Sequence, residues 1–378
     1  MRILAIETSC DETAMAILEA TGGLKSPRFK VLKNVVSSQI ETHRQWGGVV
    51  PNLAKREHLK NLPIVFEETV GKNPKLFKPD ILSVTVGPGL EPCLWTGIEF
   101  AKIIRKKYFP KAKFIGVNHM EGHLYSNLIQ NKKISFPAVA LIVSGGHTII
   151  AALKSLTEWK KIGETRDDAV GECFDKVGRM LNLPFPGGPE IEKMAKNGNP
   201  TAINFPRPMI NSKDYDFSFS GLKTSVLYYM RDSRQLLSKN AVVLPQRDKT
   251  PLDSRPRSSA QSGHPARSAS ETFSRKAAAS IPDICASFQK AAVDVLVAKT
   301  ARATLACGAK SILLAGGVAA NGYLRKELAA QAKKIRAEFF APDMAYNTDN
   351  AAMIGAAAYI SYSLKKNRKI TANSNLNL

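Results

Sequence analysis

The five cysteines of this chain (Cys10, Cys93, Cys173, Cys285, Cys307) are odd in number, far apart and free of any CxxC pair. That argues against a disulfide framework and a structural zinc module, and favours a reducing compartment. Long apolar runs are scarce as well. The first, Ile3-Leu4-Ala5-Ile6, is ended at once by Glu7, so no secretory signal is expected. The longest uncharged stretch, residues 136–153, is broken by Ser144-Gly145-Gly146-His147. It reads as two strands around a turn, not as a membrane span. Three signatures are missing: GxxxxGK[ST], a GxGxxG opening a βαβ unit, and HExxH. Acidic residues are in deficit, with 32 Asp+Glu against 54 Lys+Arg and a formal net charge of +22. Such an excess suggests a polyanionic partner, nucleic acid first and an anionic membrane surface second, with a solubility surplus as the plain alternative. The expected location is cytoplasmic.

What is present is ordinary globular material. Hydrophobic residues make up 44% and charged ones 23% of 378 residues, enough for two or three domains with full cores. Residues 2–6 and 14–18 are apolar runs flanking the polar ETSCDET, which predicts an N-terminal hairpin. The design recurs at 139–143 and 149–153 around Ser144-Gly145-Gly146-His147-Thr148. A quasi-repeat at half-chain spacing predicts two related lobes facing each other across a cleft. Buried strands are also expected at 80–86 and 311–315, with helices at 96–108 and from about Tyr323. Strands alternating with helices make this an α/β protein. Residues 245–280, rich in Ser, Pro, Arg and Ala, cannot bury enough surface to offset ordering entropy, and read as a disordered basic insertion.

His119-Met120-Glu121-Gly122-His123 is the sharpest local signal. Histidines at i and i+4 share one helix face and can hold one metal ion, or can simply be hydrogen-bonded partly buried residues. A third ligand must come from elsewhere. Asp349 is a candidate, although Thr348, Asp349 or Asn350 would each serve as the N-cap of the following helix. Glycine turns at Gly87-Pro88-Gly89, Ser144-Gly145-Gly146 and Gly316-Gly317 follow strands and suit a phosphate-binding cleft. Asp175 either binds a ligand hydroxyl or pairs with Lys176 or Arg179. Phe217 and Phe219 either form an aromatic platform for nucleotides or pack on the core.

Eight motifs in this order carry a resemblance: IETSCDET (6–13), HMEGH (119–123), VSGGHT (143–148), GECFDK (171–176), PGGPEIE (186–192), FSFSGLKT (217–224), GGVAAN (316–321) and NTDNAAMIG (347–355). Together they resemble the TsaD family, the tRNA threonylcarbamoyltransferases once classed as glycoproteases. The resemblance implies the two-lobed actin/Hsp70/sugar-kinase-like (ASKHA) fold. It implies an N-terminal lobe at 1–115, completed by a C-terminal helix at about 350–378, and a C-terminal lobe at 116–349. The implied reaction moves a threonylcarbamoyl group from threonylcarbamoyl-AMP to N6 of adenosine 37 in tRNAs reading codons that begin with A.

The implied metal ligands are His119, His123 and Asp349, holding one divalent ion per subunit, Fe2+ ahead of Zn2+. Implied substrate-binding positions are Ile142, Val143, Ser144, Gly145, Gly146, Asp175, Gly188, Glu192 and Asn321, with Asp11 and Glu12 as the catalytic acidic pair. Ile142 and His147 point to the bacterial branch, whose partners are a TsaB-like paralogue and a TsaE-like ATPase. The tRNA anticodon stem-loop would sit on positive surface. Two departures stand out, Glu91-Pro92-Cys93 where smaller residues are expected, and the basic insertion. The alternatives are a non-catalytic nucleotide-binding scaffold of the same complex, a metallopeptidase and a sugar or carboxylate kinase. A Glu next to the first histidine, which a peptidase needs, is missing.

Between Arg247 and Lys276 the insertion carries seven basic and three acidic side chains. Replacing that stretch with a short Gly/Ser linker is expected to weaken tRNA binding at low salt. The slope of log affinity against log salt should flatten by roughly two to four, at about 0.7–0.9 per phosphate contact. Filter binding across a salt series checks this; superimposable slopes mean that the loop does not touch RNA.

Overall fold

The computed structural model describes residues 1–241, 279–366 and 368–378. The basic insertion expected at 245–280 lies outside the described residues apart from its last two positions. Strand β1 (Arg2–Glu7) turns back as β2 (Glu12–Thr21) and β3 (Arg28–Ser38). Helices α1 (Ile40–Arg44) and α2 (Pro51–Val70) lead to β4 (Ile81–Gly87), α3 (Glu91–Tyr108), β5 (Lys113–Asn118) and α4 (His119–Ser126). The chain then repeats the plan with β6 (Ala138–Val143), β7 (Thr148–Leu153) and β8 (Trp159–Glu164). Helices α5 (Val170–Met180), α6 (Gly187–Ala195), α7 (Ser220–Ala241) and α8 (Ile281–Ala306) follow. Strand β9 (Ser311–Ala315), α9 (Gly322–Lys334), β10 (Glu338–Phe340) and α10 (Ala351–Ser363) complete the second half.

The first sheet has the order β3-β2-β1-β4-β5 and the second β8-β7-β6-β9-β10. In each, a hairpin pairs antiparallel (Ile6 opposite Met15, Ile142 opposite Ile149). Its first strand then pairs parallel with the fourth (Ile3 beside Ile81, Ile142 beside Ala315). The half-chain repeat is therefore a true duplication of topology.

Alternation of side chains sorts the core into layers. Leu4, Ile6, Met15 and Ile17 face α2 and α3, whereas Ile3, Ala5, Ala14, Ala16 and Leu18 face α4 and α10. Ala140, Ile142, Ile149 and Ala151 of the second sheet close the same central cluster from the other side. Val139, Leu141, Val143 and Ile150 pack outward with α5 and α8. The order is helix, sheet, helix, sheet, helix. Helix α10 is apolar around its whole circumference, as a helix pressed between two sheets must be. It lies on β1, β2 and β5, and β5 itself carries the first sheet to Asn118, past position 115.

Two expectations change. Helix α3 begins at Glu91 and not at 96, because Pro92 fits the first turn, where no amide partner is required. Phe217 and Phe219 are fully buried and stack at 6.1 Å in the second core, so they are no nucleotide platform.

Gly316 ends β9 with φ +92, and any Cβ there would run into the backbone of Val143 on β6. Gly316→Ala combines a left-handed backbone with a collision that no side-chain rotation relieves. A loss of about 2 kcal/mol or more is expected, read as an earlier denaturation midpoint.

Candidate active site

Helix α4 starts where β5 ends, and its cap is Asn118, whose Oδ1 accepts the amides of Met120 (2.8 Å) and Glu121 (3.3 Å). His119 and His123 follow one turn apart, their ring centroids 4.6 Å apart and their planes at 82°. Gly122 lets α10 approach, since a Cβ there would stand 2.9 Å from Ile354 Cδ1. That approach brings Asp349 Oδ1 to 3.4 Å from His119 Nε2 and 3.2 Å from His123 Nε2. Asn350, not Asp349, caps α10, its Oδ1 accepting the Met353 amide at 3.1 Å. The cap and the candidate ligand are thus adjacent residues with separate tasks.

Both ring nitrogens of His123 are buried without a hydrogen-bond partner, the approach to Asp349 lying off the direction a bond requires. One ligand atom from each of the three side chains falls within 4.8 Å of the others. Two imidazoles and a carboxylate around an orphaned nitrogen fit a divalent transition metal.

Glu7 is the member that sequence reasoning passed over. It is fully buried, and its Oε2 lies 3.1 Å from His119 Nδ1 while accepting from Thr85 Oγ1 at 2.6 Å. Its Oε1 accepts the Ser9 amide at 2.5 Å. With Glu7 as acceptor, Nδ1 of His119 carries the proton and Nε2 is directed at Asp349, the arrangement that orients metal-binding imidazoles. Burial opposes the charge on Glu7, but the adjacent His119 outweighs it and holds the carboxyl below its ordinary value. Burial likewise opposes a charged His119, and Asp349 and Glu7 overcome it. His123 is pushed down by burial and stays neutral. The available signal was a carboxylate inside an otherwise apolar strand.

Asp11 ends the β1–β2 turn and Glu12 opens β2. His58 braces that turn: Nε2 donates to Cys10 O at 2.9 Å, leaving Nδ1 to accept from Thr13 Oγ1 at 2.8 Å. Burial pushes Glu12 well above its ordinary value, and the charges of Asp349 and Asp11 add to the shift.

The expected substrate positions divide. Ile142 and Val143 are fully buried core residues on β6 and offer a ligand backbone only. Gly145 and Gly146 face open space, in a turn closed by the Ser144 amide donating to His147 O at 2.8 Å. His147 is pushed down to about 4, by burial first and then by the nearby charge of His119. Asp175 Oδ1 accepts the Gly187 amide at 2.7 Å and so braces the first turn of α6, which bears Gly188. Glu192 accepts the Gly322 amide at 2.9 Å. Asn321 caps α9 through Leu324 N (2.8 Å) and donates to Gln289 (2.8 Å). The Gly87–Gly89 turn departs from expectation, because the chain's own tail covers it: the Gly89 amide points at Ser374 O, 3.4 Å away.

The family model for TsaD, tRNA N6-adenosine threonylcarbamoyltransferase, matches residues 30–356. The chain belongs to the TsaD family. A TsaD relative of the same name from Thermosipho africanus is 43% identical over 96% of this chain and 94% of its own length. One from Clostridioides difficile is 40% identical over 99% and 95%. Among solved structures, T. kodakarensis HypF superposes with TM-score 0.58 at 12% identity, covering 97% of this chain and 48% of that one. Full-length HypF in its phosphate- and nucleotide-bound form gives 0.55 at 11%, over 96% and 55%. These two likenesses concern the fold, the two-lobed ASKHA architecture in which this TsaD chain carries its histidine pair.

Separate tasks for Asp349 and Asn350 give a double test. Asp349→Ala should leave α10 capped and the protein folded while bound metal is lost. Asn350→Ala should cost about 1 kcal/mol of stability and keep the metal. Metal stoichiometry and thermal midpoints of both variants decide the matter; stoichiometric metal in Asp349→Ala excludes it as a ligand.

Proposed function

We propose that this TsaD chain transfers the threonylcarbamoyl group of threonylcarbamoyl-AMP to N6 of adenosine 37 in tRNAs reading codons that begin with A. The observation that carries this reading is the His119–His123–Asp349 group, its imidazoles buried and its carboxylate partly so, held between two hairpin turns, one acidic and one open and glycine-rich. A divalent metal there, Fe2+ ahead of Zn2+, would supply Lewis-acid polarisation of donor oxygens. The remaining work falls to the chain. Glu7 fixes the tautomer of His119. The amides at Gly145 and Gly146, with no side chain in the way, are suited to the AMP phosphate. Asp175 acts through the start of α6, and Glu192 and Asn321 through the start of α9.

In the transfer, N6 attacks the carbamoyl carbon, a C–N bond forms, and the C–O bond to phosphate breaks with release of AMP. The N6 proton passes to Glu12 or Asp11. A carboxylate whose proton affinity is raised, as for Glu12, is the better acceptor. A peptidase reading lacks its base, since Glu121 is turned into an ion pair with Arg368. The tRNA anticodon stem-loop, a TsaB-like paralogue and a TsaE-like ATPase complete the proposed reaction, in the cytoplasm. Among the described residues no helix is long and apolar enough to cross a membrane.

The direct test incubates the protein and those partners with threonylcarbamoyl-AMP and unmodified tRNA, then seeks the modified nucleoside in a digest. Glu12→Gln should retain donor and tRNA binding and lose about 10²–10⁴-fold in single-turnover rate. Wild-type rates in both Asp11→Asn and Glu12→Gln would remove the acidic pair from proton transfer.

A further inference from the structure

We infer that the C-terminal tail is a clamp on the metal-bearing helix, with Arg368 as a positioning residue acting through Glu121. The inference rests on the metal reading of His119, His123 and Asp349. Glu121 is the one charged residue of the HMEGH motif that the proposed chemistry does not use. Two residues on from His119, it lies about 200° around α4, away from the histidine face. Its side chain is 3% exposed, and both oxygens are taken by one guanidinium: Oε1 by Arg368 Nη2 at 2.6 Å and Oε2 by Nη1 at 2.8 Å. A two-pronged contact of this kind fixes orientation as well as distance. Left unpaired, a carboxylate at this depth would pull its helix toward water.

The tail makes a second contact at the start of the same helix. Asn118 spends its Oδ1 on capping α4, and its Nδ2 donates to Asn377 O at 2.9 Å. Between these points the tail is tied to the first sheet by the Asn373 amide donating to Val86 O at 2.8 Å, and Ile370 and Leu376 pack beside it. Asp349, α10 and the tail form one run of chain. Its beginning supplies the third ligand, its middle presses Ile354 against Gly122, and its end grips α4 from the opposite face. Supporting contacts of this order typically alter metal affinity about 10–100-fold.

The test uses the full-length protein and Zn2+ alone, titrated against a chelator, with Co2+ absorption reporting coordination geometry. Three variants are compared: Arg368→Lys, Arg368→Gln and the double Glu121→Gln/Arg368→Gln. Arg368→Lys keeps the charge and loses the fork, and the double variant leaves no unpaired charge; they decide the matter even if Arg368→Gln alone fails to fold. The expected result is a metal-free thermal midpoint near wild type for Arg368→Lys. Its Zn2+ Kd should rise several-fold, that of the double variant about 10–100-fold, and the Co2+ spectrum should change in both. Wild-type Zn2+ affinity and Co2+ spectra in both variants would overturn the clamp while leaving the metal site standing. Failure of the wild-type protein to hold Zn2+ or Co2+ would overturn the metal reading and the clamp together.

Discussion

The contact between α4 and α10 governs whether the two histidines and Asp349 can meet. Gly122 on one helix accepts Ile354 and Met353 of the other, and Gly355 fits against Leu18 of β2, where no Cβ has room. Small residues on the facing strands, Ala5, Ala14 and Ala16, let α10 sink between the sheets. Only at that depth does the residue two positions before α10 reach both imidazoles of α4. A side chain at Gly122 would meet Ile354 Cδ1 and Met353 Cγ first, so those two side chains would have to turn aside for the helices to stay this close.

Charge explains why such a cluster can be buried at all. Glu7 and Asp349 are both held ionised, and without a cation His119 is the group that must carry the compensating proton. His123, pushed toward neutrality, leaves the cluster one charge short of balance. A divalent ion in place of the His119 Nε2 proton would neutralise both carboxylates and partner the orphaned His123 nitrogen. The geometry of the three side chains and the electrostatics of a stable interior therefore suit the same kind of occupant.

Much of this was legible in the sequence, for stated physical reasons. Strands buried on both faces appear as continuous apolar runs, so 311–315 and the second hairpin coincide with their elements almost residue for residue, whereas 14–18 covers only the middle of β2. Spacing put the histidines on one face. Spacing could not separate Asp349 from Asn350, because cap and ligand use the same residue types, and only packing against Gly122 distinguishes them. The roles of Glu7 and Glu121 depend on partners 112 and 247 residues away, which no local pattern encodes. The covered Gly87–Gly89 turn was missed for a similar reason: the tail TANSNLNL has no periodic apolar pattern that announces docking.

The duplication gives the arrangement its logic. Each half runs hairpin, third strand, crossover, fourth strand, fifth strand, and then a helix that enters the space between the sheets. Helices α4 and α10 are thus equivalent positions of the two halves, with His119 and His123 in the first turns of α4 and Asp349 two residues before α10. The two hairpin turns are equivalent as well, one presenting Asp11 and Glu12 and the other Gly145 and Gly146. The glycine turns after the fourth strands break the equivalence. In the first half the tail lies across Gly87 and Gly89, whereas Gly317 in the second half has nothing near it. A duplicated scaffold offers two glycine turns after its fourth strands, and residues 373–376 cover one of them. What remains is an unequal pair of hairpin turns, acidic in the first half and open and glycine-rich in the second, on either side of the histidine–carboxylate cluster.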